Sequence, residues 1–206
     1  VTIPSSISSI KVFTFANCIN LNSIIISDGV NSIGNYAFNN CSSLQSITIP
    51  KSVNIINISA FEGCNSLQII NVDPNNNNYK SEDGILFSKD GSVLIKYPSC
   101  KSNNYYTIPE EVTLIDSFAF KDSINLESII IPESVTEIGD FAFFDCTKLS
   151  FLFYKGTNQP ICGESIFSDS SGLDNVDVMY YYKENEFAGK KVKILFTRYF
   201  SESNYF

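Results

Sequence analysis

The chain has 206 residues, 44% of them hydrophobic, enough for a continuous core, and no apolar run approaches the roughly 18 residues of a membrane-spanning helix. Its net charge of −8 opposes binding to nucleic acid or to an anionic membrane surface, and its one basic cluster, Lys190, Lys191 and Lys193, reads as a solvated face of the terminal segment. Histidine is absent, which removes Ser-His and Cys-His nucleophilic pairs, imidazole metal sites and the commonest general base.

The chain opens in mid-pattern at Val1-Thr2-Ile3-Pro4, which matches a strand exit, so it reads as a fragment or mature piece of a longer protein. Residues 1–72 then carry one irregular and two clean units of a repeat. Cys18, Cys41 and Cys64 stand 23 residues apart, each preceded by Phe15, Phe38 or Phe61 and followed by Leu21, Leu44 or Leu67. Ile24, Ile47 and Ile70 come next, then Ile26, Ile49 and Val72. Residues 73–107 break the pattern, since Cys64 to Ser123 is 59 residues, one unit and 36 extra. A polar loop at Asp73-Pro74-Asn75-Asn76-Asn77-Asn78 has no core-forming capacity. Two apolar runs around Asp90-Gly91 then signal a β-hairpin, projecting from or lying against the edge of the array between Val72 and Ile108. Asp83-Gly84 and Asp90-Gly91 lack the ligand spacing of a calcium loop and read as turns. Residues 108–179 hold two good units around Phe120 and Phe143 and a worn one around Phe167. Residues 180–206 are expected to form a cap and tail, with a helical turn over 183–189, a closing strand carrying Val192, Ile194 and Phe196, and a loose end from Ser201.

Six copies of one short unit, none able to bury its own apolar groups, have to stack. In the L..I.I segment, alternation turns Leu44, Ile47 and Ile49 inward and Ser46 and Thr48 outward. Proline after the strand (Pro50, Pro109, Pro132) has no N–H for a ladder and ends it. Gly34 and Gly139 follow an inward isoleucine where a tight bend is expected. The pattern V..I...AF..C..L..I.IP, with Ala37-Phe38, Ala60-Phe61, Ala119-Phe120 and Ala142-Phe143, resembles the 23-residue leucine-rich repeat of BspA-like surface proteins. The resemblance covers nearly the whole chain. Thr14 departs from the first alanine, and Ser123 and Ser170 depart from cysteine. The expected fold is therefore an α/β-type solenoid in a single domain over 1–206, a leucine-rich repeat array with a parallel β-ladder, one hairpin insert and a C-terminal cap.

Cys18, Cys41, Cys64 and Cys146 occupy one repeat position, so their side chains run parallel and read as buried free thiols rather than disulfide halves. Cys100 and Cys162 fall off the ladder and are the pair to test. Glu110, Glu111, Glu133 and Glu137 fall at exposed positions, which speaks against a glycosidase-like carboxylate pair and against an enzyme altogether. No metal site or cofactor is indicated. Two sequons, Asn40-Cys41-Ser42 and Asn57-Ile58-Ser59, read as chance matches in an asparagine-rich chain.

What remains is a recognition surface. The outward columns hold Ile25, Thr48, Ile69, Asn71, Ile130, Phe151 and Phe153, several of them large and apolar where polar residues are the rule. Phe151 and Phe153, next to Lys155, form a candidate patch, unless the cap or the hairpin covers them. The resemblance implies a cell-surface or extracellular module that adheres to a host matrix or cell-surface protein, without membrane insertion. The competing reading is a non-binding spacer in a longer surface protein.

Overall fold

Each unit folds as one turn of a solenoid because its strand segment has a dry and a wet side, and only the neighbouring turns can cover the dry one. The structure, a computed structural model, describes residues 1–57, 59–179 and 181–195, with the side chain of Leu195 left out. Front strands Thr2–Ile3, Ser23–Ile26, Ser46–Ile49 and Ile69–Val72 form one parallel sheet. Tyr105–Thr107, Ser128–Ile131, Phe151–Tyr154, Asn175–Met179 and Lys190–Leu195 form a second, closed by Glu186–Phe187 running antiparallel. Ile24, Ile47 and Ile70 lie buried in register behind the first sheet, and Ile129, Leu152 and Val176 behind the second. Short back strands, such as Ser32–Ile33 and Glu137–Ile138, form two further ladders.

No helix occurs among the described residues, so the α/β label does not hold. The reason lies in the segment between back and front strands. Tyr36 and Asn40, Phe118 and Asp122, and Phe141 and Asp145 all have positive φ, four residues apart, which breaks any right-handed helix before it completes a turn. The alternate N–H groups instead reach the next coil: Phe38 donates to the Ala60 carbonyl at 2.9 Å and Phe120 to that of Ala142 at 2.8 Å. The Phe side chains beneath stack in a column, with Phe15–Phe38 at 5.4 Å, Phe38–Phe61 at 5.8 Å and Phe120–Phe143 at 4.8 Å between centroids. Gly34 and Gly139 are needed for close approach and not for a bend. A Cβ at Gly139 would lie 2.4 Å from the Ser117 nitrogen, and one at Gly34 2.7 Å from that of Val12.

The insert differs most from expectation. It is a three-stranded antiparallel meander, Tyr79–Glu82, Ile85–Ser88 and Val93–Lys96, and it runs through the array. Leu86 belongs to the N-terminal core, whereas Ile85, Phe87 and Leu94 belong to the C-terminal one, so the middle strand is a partition with a dry face on each side. Nor is the preceding loop without core: Asn76 is fully buried, donating to the Pro50 and Val53 carbonyls and accepting from the Asn78 and Tyr79 amides.

The repeat frame also resumes earlier than Ile108. Tyr97 stands 23 residues before Phe120 and stacks on it at 5.1 Å; its N–H donates to the Ala119 carbonyl, as those of Phe15, Phe38, Phe120 and Phe143 do to the next coil. Cys100, 23 residues before Ser123, thus occupies the cysteine position after all, and the extra chain shrinks from 36 residues to 13, since 59 − 2 × 23 = 13.

At the C-terminal end, Phe187 is buried against Tyr154 at 5.0 Å and prolongs the ring column past Phe167. Residues 183–189 form no helical turn; they lead into a β-hairpin whose tip, Ala188-Gly189, has positive φ at both residues. Val192 and Ile194 lie on the closing strand, while Phe196, the tail from Ser201, and Ile58 of the second sequon lie outside the described residues.

Candidate functional site: the outward face of the strand ladder

Outward residues pair rung to rung. In the N-terminal sheet Ser23, Ser46 and Ile69 make one column, and Thr2, Ile25, Thr48 and Asn71 the next. Ile25 is 63% exposed and Ile69 43%, while Thr48 and Asn71 are also exposed, so four of the candidate residues share one open face. That face ends at the meander. The Ile70 N–H donates to the Gly84 carbonyl at 2.9 Å, and Gly84 lies so near Ile69 that a Cβ would stand 3.2 Å from its methyl group. Lys101 anchors the tip, with Nζ 2.6 Å from the Asp83 carbonyl and 3.0 Å from its carboxylate.

The other three candidates lie beyond this interruption. Ile130 and Phe151 are half-buried, and Phe153 is only 5% exposed. Ile130 pairs Phe153 on one side and Asp177 pairs it on the other. Residues 152–154 and 176–178 are each buried three in a row, so the ladder is covered on both sides there and the expected Phe151/Phe153 patch is not an open surface. Burial raises the Asp177 carboxyl above its ordinary pKa, opposed by nearby Lys193.

The remaining chemistry is structural. All six cysteines are free thiols. Cys41, Cys64 and Cys146 are buried and donate Sγ–H to the carbonyls of Phe15, Phe38 and Phe120, at 3.1, 3.2 and 3.1 Å. Burial pushes their thiols up, to about 11 for Cys41 and about 12 for the other two, so none is a ready nucleophile. Cys18, on the first coil, is exposed, contrary to its expected place in the interior. Glu110, Glu111, Glu133 and Glu137 are exposed, and Glu110 pairs with Lys155 at 3.1 Å. The Asp90 carboxylate is engaged by its own turn, accepting from Ser88 Oγ at 2.6 Å and from the Ser92 N–H at 3.0 Å, which holds its pKa down at about 2.

Two features escaped the reading of the sequence. Phe13 stacks on Tyr36 at 5.1 Å, and Phe118 on Phe141 at 5.4 Å, as rows of rings outside the turns. Their 23-residue spacing was visible, but their conformation was not. Lys121 lies over Phe118 and Phe144, 5.5 and 5.2 Å from the ring centroids, and pairs with Glu62. The second feature is Lys96, buried in the position that alanine holds elsewhere.

A search of curated proteins returns no match. Among solved structures, the fold is similar to that of a leucine-rich cell surface protein from Faecalibacterium prausnitzii A2-165, with 24% identity and a TM-score of 0.73 over 95% of this chain and 59% of that one. It is also similar to a leucine-rich repeat protein from Eubacterium ventriosum ATCC 27560, with 28% identity and a TM-score of 0.65 over 87% and 59%. A third, from Bacteroides ovatus ATCC 8483, shares 24% identity with a TM-score of 0.55 over 94% and 54%. The chain thus spans less than two thirds of the length of these proteins. The model of the BspA type leucine-rich repeat region matches residues 1–87 and 96–202 in six copies, skipping eight residues of the meander. Repeat spacing, stacked coils and family model agree, and the chain belongs to the BspA-type leucine-rich repeat family.

Proposed function

We propose that the chain is a protein-interaction module at the cell surface, which holds a host matrix or cell-surface protein on the outward face of its N-terminal strand sheet. The observation that carries this reading is the exposure of Ile25 and Ile69 at outward positions flanked by Thr48 and Asn71. Apolar groups on a flat, rigid sheet lose little entropy on binding and gain from desolvation. Membership of the family and the surface description of the Faecalibacterium protein support the location. The reading involves no cofactor and no turnover.

Surface plasmon resonance against a panel of extracellular-matrix proteins, together with attachment to host cells, tests it. Saturable binding is expected, weakened at least about tenfold in the double variant Ile25→Ser, Ile69→Ser, which touches no core residue. A second reading, a spacer without a ligand, draws on the polar character of the other front positions Thr2, Ser23 and Ser46. Absence of saturable binding across the panel favours the spacer.

A further inference from the structure

The turn side of the array hands its hydrogen bonds in one direction only. Phe118, Phe120 and Asp122 donate their N–H groups to the Asp140, Ala142 and Phe144 carbonyls of the next coil. Phe141, Phe143 and Asp145 donate in turn to Glu164, Ile166 and Ser168, all six bonds being 2.8–3.0 Å long. In the last coil the equivalent donors are Ser165, Phe167 and Asp169, and their backbone is the same: φ is 51° at Ser165 and 59° at Asp169, against 55° at Phe141 and 54° at Asp145. None of these three N–H groups has an acceptor among the described residues. Phe167 is only 6% exposed, and an N–H left unpaired on a buried residue is costly.

The cap leaves this row open. Lys190–Leu195 takes the place of the next front strand, in parallel with Asn175–Met179, and Phe187 takes the place of the next ring, 6.4 Å from Phe167. Between them the chain reverses tightly at Ala188-Gly189 and supplies no turn of its own. The result is an open groove of about 240 Å³, walled on one side by Gly163, Ser165 and Ser168 and on the other by Ala188 and Lys190. Lys190 is half-buried there and takes part in none of the ion pairs among the described residues.

In the coils below, the three donors meet three separate carbonyls on alternate residues of one chain, so they point side by side and do not converge. A polypeptide backbone satisfies such a row, whereas a compact anion reaches only one or two of its members. A second copy related by a two-fold axis would set donors against donors. With front strand and ring position already filled, the space left admits one peptide segment and no complete coil. We propose that this groove, distinct from the outward face of the N-terminal sheet, docks an acidic peptide segment of a partner protein. Carbonyls on alternate residues accept from Ser165, Phe167 and Asp169, and a carboxylate side chain pairs with Lys190.

The probe is a capped synthetic peptide with the sequence of residues 163–169, whose Glu164, Ile166 and Ser168 carbonyls fill the equivalent donors one coil back and which carries two carboxylates. Amide exchange and nitrogen-15 NMR of the whole chain read its binding. Without peptide, the Ser165, Phe167 and Asp169 amides should exchange about a hundredfold faster than those of Ser168 and Ser170, which lie in the same turn but donate to Ser165 and Phe167. Saturating peptide should shift the three resonances and slow their exchange about tenfold, and Lys190→Glu should weaken binding about tenfold while leaving exchange in the free protein unaltered. Free-protein amides as slow as those of Ser168 and Ser170, or no shift at millimolar peptide, overturn the proposal. Shifts at Ile25 and Ile69 in place of these three also overturn it, because the peptide then belongs to the N-terminal face. Protection that grows with protein concentration alone assigns the edge to a second copy, and equal affinity in Lys190→Glu overturns the preference for an acidic segment.

Discussion

Replacing Ser123 by cysteine should stabilise the protein. At this repeat position Cys41, Cys64 and Cys146 donate to the carbonyl of the core ring residue one coil back, and Ser170 does the same to Phe143. Ser123 is 1% exposed, yet its hydroxyl has no partner among the described residues. A buried hydroxyl left unpaired costs about 1–3 kcal/mol, whereas a thiol is weakly polar and loses little when its bond is poor. Sulfur fits the site, since the equivalent Cys146 in the next coil, like Cys41 and Cys64, is fully buried beside its stacked rings. The expected gain is about 1–2 kcal/mol, read as a rise in the urea midpoint at unchanged slope, followed by far-ultraviolet circular dichroism and tyrosine fluorescence. Ser170→Cys is the control. Its hydroxyl also accepts from the Cys146 N–H at 3.1 Å, so the same change there should be neutral or destabilising by about 1 kcal/mol. If Ser123→Cys lowered the midpoint, or if both variants shifted it equally, the account of this ladder would be wrong.

Phe38→Ala should cost about 3–5 kcal/mol in urea denaturation, for Phe38 is fully buried between two stacked rings, and Phe15→Ala clearly less, because Phe15 has one such neighbour and is half-buried. Gly139→Ala should destabilise by about 1–3 kcal/mol, since its methyl group would meet the Ser117 backbone; unchanged melting would show that the coils can part there. Lys96 gives a pH signature of definite sign. Its folded pKa of about 8 lies below the ordinary 10.5, so burying the charge costs about 3 kcal/mol at pH 7, and the cost is relieved as pH rises from 8 towards 10.5. Relative to Lys96→Met, wild type should therefore gain about 2–3 kcal/mol between pH 7 and 10, and a flat difference in urea midpoints would contradict a buried amine.

The regular part of the fold was legible because its signal is local: Phe38, Cys41, Leu44, Ile47 and Ile49 recur at fixed offsets and all face the core. The copy beginning at Lys96 was hidden by substitution, with lysine and tyrosine where alanine and phenylalanine are usual and 13 extra residues shifting the frame. The turn side went unrecognised for a different reason. Asparagine, glycine and aspartate before the cysteine position (Asn40, Gly63, Asp122, Asp145) announce left-handed backbone, but Tyr36, Phe118 and Phe141 hold the same conformation with residues that disfavour it. Stacking with the coil above or below, a contact 23 residues away, offsets that strain. The candidate site was half legible. Alternation correctly placed Ile25 and Ile69 outward, but it cannot report what lies over a strand, and so Phe153 was misjudged.

The meander that crosses the array also governs how damage spreads. In an uninterrupted stack each coil leans on the next, and fraying at one end advances until the whole column has melted. Here Leu86 faces one interior and Ile85 and Phe87 the other, so a lesion among the first three coils reaches a bulkhead whose far side is sealed by its own contacts. Coils can accordingly be gained or lost on one side, in steps of 23 residues, while the other side keeps its shape.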